Sequence, residues 1–183
     1  MESTETTQST STPFPNIPPL IESNDSEYLD SGVPSTVAIA GHPLHPLSVI
    51  FPIAFLAAAL GSDFGYWLTK DFFWARASLW LIGLGLGGGL LAAAIGLSDF
   101  LKIERVRKRS AGWTHLILNV SLLVLTLVNF LLRLGDAESR ILPWGLVLSL
   151  LVGTLTSLSG WFGAELSYRH KIGVVGAGSR RYP

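Results

Sequence analysis

WTHLILNVSLLVLTLVNFLL, residues 113–132, runs for twenty residues without an Asp, Glu, Lys or Arg. The hydrocarbon core of a bilayer is about 30 Å thick, and a helix needs about 20 mostly apolar residues to cross it. This stretch meets that requirement unaided, and a buried helix of a soluble domain would be shorter. Working outward, residues 47–68, 74–97 and 142–166 read the same way. The first of these is the least uniform, because it contains Pro52 and Asp63, and the second carries Arg76 near its start. The connections are short, so neighbouring helices should run antiparallel. The expected fold is an all-α integral membrane protein, an antiparallel four-helix transmembrane bundle.

Composition agrees. The chain is 49% hydrophobic and 14% charged, against roughly 25% charged residues in a soluble domain. It has no cysteine, which excludes disulfides, thiolate metal sites, a cysteine nucleophile and covalent haem attachment through cysteines. Formal net charge is zero, so charge placement is informative rather than charge balance. The loop KIERVRKRS after the second stretch holds Lys102, Arg105, Arg107, Lys108 and Arg109, and the C-terminal end holds Arg169, Lys171, Arg180 and Arg181. The opposite side has Lys70, Arg76, Arg133 and Arg140. Basic loops stay on the cytoplasmic side, which predicts a multi-pass protein of the cell inner membrane with both termini cytoplasmic. Trp67, Trp74 and Trp144 then form one aromatic belt, and Trp113 and Trp161 the other. The basic loop lacks interleaved aromatics. It reads as an orientation signal and an anionic-lipid contact, with no nucleic acid as partner.

Three segments are expected. Residues 1–35 are rich in Ser, Thr, Pro and acids and contain no Lys or Arg. Such a stretch cannot bury enough apolar area to order itself and is expected to be a disordered tail. Residues 36–174 form the four-helix domain, and residues 175–183 a short basic tail. Small residues recur on one face of the second helix at Gly85, Gly89, Ala92, Gly96 and Asp99. The fourth helix adds Gly153, Ser157, Gly160 and Gly163. Small residues let helix backbones approach in lipid, and homo-oligomerisation through the glycine-rich second helix is expected. The run Gly83–Gly89 lies inside an apolar span and lacks the Lys-Ser/Thr ending of a phosphate loop.

Polar groups suggest where chemistry would reside. His115, Asn119, Thr126, Asn129 and Arg133 share one face of the third helix. Polar side chains avoid lipid, so that face should point inward and either bond between helices or line an ion path. Four histidines, His42, His45, His115 and His170, fall at one leaflet with Asp99 and Glu165. Imidazole is the commonest protein metal ligand. A transition-metal ion could take His42, His45 and His115 with Asp99 or Glu165. A haem b could take two histidines from different helices, with glycines making room for the macrocycle. Asp63, about 27 Å along the helix from His45, should lie near the far face with Arg76 as its partner. No Ser–His–Asp or HExxH arrangement is present, and no catalytic residue is assigned. The rival readings are a small oligomeric transporter or proton-linked permease using Asn119, Thr126 and Asn129, and a scaffold without chemistry that recruits a partner through its tail.

GHPLHPLSVIFPIAF, AAAIGLSDFLKI, WTHLILN and SGWFGAELSYRHKIGV occur in this order between Gly41 and Val174. Together they resemble a bacterial membrane-protein family of unknown function, the domain-of-unknown-function family numbered 2231. The resemblance implies four membrane helices and motif positions at His42, Pro43, His45, Pro46, Asp99, His115, Gly160, Glu165 and His170. Some members are fused to Rieske-type iron–sulfur domains, which implies a redox, iron–sulfur partner. The resemblance carries no activity with it.

Overall fold

The computed structural model describes residues 32–174. Most of the expected N-terminal tail, residues 1–31, and the whole of residues 175–183 lie outside the described residues. Within them, four helices are long and apolar enough to cross a membrane: α1 (Leu44–Thr69), α2 (Phe72–Lys102), α3 (Ser110–Arg133) and α4 (Ala137–Tyr168). A two-stranded antiparallel ribbon, β1 (Ala38–Ile39) and β2 (His42–Pro43), precedes α1.

The helices exceed the expected spans because hydropathy marks only the part inside hydrocarbon. With a rise of ~1.5 Å per residue, the 31 residues of α2 cover about 46 Å, more than the ~30 Å core. Polar caps close the ends. Lys70 adopts a left-handed conformation (φ 57°) and ends α1. The Asp71 carboxylate then accepts from the Phe73 amide at 2.9 Å and starts α2. The α3–α4 turn works similarly: Gly135 has φ 89°, and Asp136 accepts from the Ser139 amide at 3.1 Å and hydroxyl at 2.6 Å. Those bonds hold the Asp136 carboxyl below its usual pKa.

α1 packs chiefly on α2, and α3 on α4. Lesser edges join α2 to α3 and α4 to α1, closing a square. α1 and α3 therefore stand diagonally opposite. The surface is apolar and the interior carries polar groups. Leu68, Trp80, Leu91 and Trp161 are exposed, while Asp63, Ser78, Thr126, Asn129, Arg133, Ser149 and Ser159 are buried. A soluble protein rarely exposes so continuous an apolar surface; in lipid it needs no cover.

The interior is layered along its axis. Phe100, Ile103, Val106, Ala111 and Leu166 fill one end. Leu56, Leu122 and Val152 fill the middle, and Tyr66, Ala75, Ala137 and Ile141 fill the other end. Polar centres occupy the two gaps between these layers.

Residues 32–35, expected in the tail, are engaged by the bundle. The Val33 amide donates to Lys171 O at 2.9 Å, and its carbonyl accepts from the Gly173 amide at 2.7 Å. The small-residue face of α2 is used within the chain. A Cβ on Gly85 would meet Leu56 at 2.7 Å, one on Gly89 would meet Leu123 at 2.9 Å, and one on Gly96 would meet His45 at 2.6 Å. The glycines of that face thus seat side chains of the chain's own α1 and α3.

Candidate functional site

The first polar centre joins α1 and α3 between the middle layer and the Tyr66 end. Arg133 and Asp63 face each other through two parallel bonds, Nη1 to Oδ1 and Nη2 to Oδ2, each 2.6 Å, with both side chains wholly buried. This two-pronged pairing is the strongest form of the interaction. The surroundings complete it. Ser78 donates to Asp63 Oδ1 at 2.5 Å, Arg133 Nε donates to Asn129 Oδ1 at 2.9 Å, and Arg133 Nη2 donates to Ser149 Oγ at 3.1 Å. Gly145 lies against the guanidinium: a Cβ there would stand 2.8 Å from Nη2.

The expected Asp63–Arg76 pair is therefore corrected. Arg76 is exposed and its guanidinium lies over the Phe72 ring, 5.7 Å from the centroid. It is two positions from Ser78, which points inward, and residues i and i+2 do not share a helix face. Closeness in sequence favoured Arg76, whereas the diagonal across the bundle favours Arg133.

The second centre lies between the middle layer and the Phe100 end. Here the structure brings together two of the four histidines. The rings of His45 and His115 stand 6.2 Å apart between centroids, at 88° to one another. Nδ1 of His45 lies 2.9 Å from the carbonyl of Ala92, and Nδ1 of His115 lies 2.9 Å from that of Ser159. A carbonyl only accepts, so each Nδ1 donates its proton there, and in the neutral ring Nε2 keeps a lone pair. Each ring rests on a glycine. A Cβ on Gly96 would be 2.6 Å from His45, and one on Gly163 would be 3.1 Å from His115. These glycines make room for imidazoles, not for a macrocycle as the haem reading required. Asn119 braces the site by donating to His115 O and to Ser159 Oγ, both at 2.7 Å.

The other expected ligands stand apart. His42 is exposed, with Nδ1 3.0 Å from the carbonyl of Ala40. Both oxygens of Asp99 are occupied: Oδ2 accepts from the Ser35 hydroxyl at 2.7 Å, and Oδ1 from the Thr36 amide at 2.6 Å and hydroxyl at 2.8 Å. Glu165 is 3.5 Å from Arg169. His170 is half-buried beyond the end of α4. Among the described residues no group of three or more His, Asp or Glu could hold a metal ion. Of the five residues expected as metal ligands, the structure brings His45 and His115 face to face.

The polar face of α3 bonds between helices. Asn119 reaches Ser159, and Asn129 donates to Ser149 Oγ at 3.0 Å. Thr126 bonds back to its own helix at Leu122 O. The Leu56–Leu122–Val152 layer divides that face in two. Sequence reading missed Ser78, Ser149 and Ser159. Their signal was a lone hydroxyl in an apolar run, which is weak because serines also bond back to their own helix.

A family model described as "Predicted membrane protein (DUF2231)" matches residues 41–176. No curated protein and no solved structure matches the chain. With the match spanning all four helices and both polar centres, the chain belongs to the DUF2231 family of membrane proteins.

Proposed function

We propose that the protein binds a single transition-metal ion through Nε2 of His45 and Nε2 of His115, in a redox role at the inner membrane with both termini cytoplasmic. The geometry of the pair carries this reading. Each ring commits its Nδ1 proton to a backbone carbonyl. This arrangement fixes the tautomer and orients a metal-binding histidine. The ring centres are 6.2 Å apart. Two imidazoles sharing one ion place their centres about 4.5–6.5 Å apart, widening with the angle at the metal, given metal–nitrogen bonds of ~2.0–2.1 Å. Imidazole suits zinc, copper, iron and nickel. A bare ion fits better than a haem, because the imidazoles already fill the space beside Gly96 and Gly163. The resemblance to proteins fused to iron–sulfur domains supports the redox part. The concentration of Lys and Arg at the histidine end supports the orientation.

Metal analysis and visible and spin-resonance spectra of detergent-purified protein loaded with copper test the proposal. The expected result is one ion per chain, lost in His45→Ala and in His115→Ala and kept in His42→Ala and His170→Ala. A wild-type chain that retains no copper, iron, nickel or zinc after desalting rejects it. So does an equal loss in His42→Ala.

A further inference from the structure

The two halves of the bundle share one set of contacts, although the contact points are fourteen residues apart on α2 (Ser78 and Ala92) and ten, one turn fewer, on α4 (Ser149 and Ser159). His45 and Asp63 on α1 are eighteen residues apart, as are His115 and Arg133 on α3. Ser78 on α2 bonds Asp63, and Ser149 on α4 bonds Arg133. His45 reaches the carbonyl of Ala92, four residues before Gly96, and His115 reaches the carbonyl of Ser159, four residues before Gly163. In an α-helix that carbonyl already accepts from the amide four positions on. The imidazole adds a second bond there, and a residue without a Cβ lets the ring come close enough to form it. The packing repeats as well. α1 meets α2 as α3 meets α4, and the α2–α3 edge has its counterpart in the α4–α1 edge. Half a turn about the bundle axis exchanges α1 with α3 and α2 with α4.

We propose that α1–α2 and α3–α4 are two copies of one helical hairpin, duplicated within the chain about an axis along the membrane normal. The imidazole pair is then one symmetric site, to which each copy brings a histidine and the glycine it rests on. Parallel repeats of this kind occur in membrane proteins. Gly96 and Gly163 act as positioning residues. The ligand class is a metal centre that takes one neutral imidazole nitrogen from each of two sides. That ligand rests on the function proposed above, whereas the duplication does not. The Asp63–Arg133 centre breaks the symmetry with opposite charges. Two copies of the first hairpin would set Asp63 against Asp63, and two of the second would set Arg133 against Arg133. Like charges buried together are disfavoured, so each hairpin prefers the other to its own duplicate.

The test uses the full chain in detergent with nitrogen-15-labelled histidine, its resonances assigned with His45→Gln and His115→Gln. Both rings should show the Nδ1-protonated tautomer. Gly96→Ala should displace the His45 signal alone, and Gly163→Ala the His115 signal alone and by less. Cuprous ion should shift both resonances together and saturate at one per chain. A one-to-one haemin complex that moves both would support the same symmetric site with a macrocyclic ligand. Opposite tautomers, a glycine variant that moves both rings or neither, or a single responding imidazole would overturn the proposal. If neither probe binds, the metal reading fails, while the tautomers and glycine variants still decide whether the two imidazole seats are equivalent.

Discussion

Removing one member of the Asp63–Arg133 pair should be far more damaging than removing both. Asp63→Leu removes the two carboxylate oxygens that compensate the charge of Arg133, leaving the wholly buried guanidinium with only the neutral acceptors Ser78, Asn129 and Ser149. Breaking a buried ion pair from one side costs about 3–5 kcal/mol, because the other charge is left without compensation. Ser78 also loses its 2.5 Å acceptor, which places Asp63→Leu near the top of that range. Asp63→Asn keeps one oxygen and should fall near the bottom. Arg133→Met strands the carboxylate and should match Asp63→Leu. The double variant Asp63→Leu/Arg133→Met removes both charges from an apolar interior, and such replacements are often neutral or stabilising by about 1–4 kcal/mol. Asn129 then lacks the donor to its Oδ1, an offset of about 1–3 kcal/mol. The double variant should therefore lie within about 3 kcal/mol of wild type, although the two single effects together predict roughly 6–10 kcal/mol. Detergent-solubilised protein titrated with denaturing surfactant and followed by tryptophan fluorescence gives all four values. Additive single effects, or a loss below about 1 kcal/mol for Asp63→Leu, would refute the view that these charges are locked to each other.

Gly145→Ala sets a Cβ 2.8 Å from Arg133 Nη2 and should destabilise by about 1–3 kcal/mol. Gly87→Ala, with nothing within 4 Å, should be neutral or gain up to about 1 kcal/mol; equal stabilities in the same titration would contradict the packing. Asp99→Ala should release residues 33–37, seen as faster hydrogen exchange at the Thr36 amide, which donates to Asp99 at 2.6 Å; unchanged exchange would show that the strap is held elsewhere. Asp136 has its carboxyl pKa lowered by the hydroxyl and amide of Ser139. Its contribution is therefore present above the unfolded value of about 3.9 and fades as pH falls through the lower folded value. Asp136→Asn should flatten the acid limb of the stability–pH curve below about pH 4, and superimposed curves would count against the cap.

The four spans were legible because hydrocarbon sets a length and excludes charge, and residues 113–132 satisfy both conditions without any partner. The helix ends were not, since the turns at Lys70 and Asp71 and at Gly135 and Asp136 are set by caps that hydropathy does not register. The inward face of α3 could be read from the spacing of Asn119, Thr126, Asn129 and Arg133, because polar groups on a membrane helix have only one place to go. The partner of Asp63 could not. A hairpin announces its neighbours along the chain, but Arg133 lies seventy residues away across the diagonal of a four-membered square. The histidines show the same divide. Their shared end was expected from helix direction, but only the folded chain shows that His45 and His115 face each other on Gly96 and Gly163 while His42 is exposed. The role of Gly96 and Gly163 as ring seats was hidden because a small residue looks the same from outside whether it faces lipid, a helix or an imidazole.

Leu56, Leu122 and Val152 stand between the imidazoles and the ion pair. A hydrated solute arriving at the histidines meets a greasy septum that offers no replacement for its water. α1 and α3 each carry one member of both polar centres, so a shift at the imidazoles is passed towards the ion pair along the helices themselves.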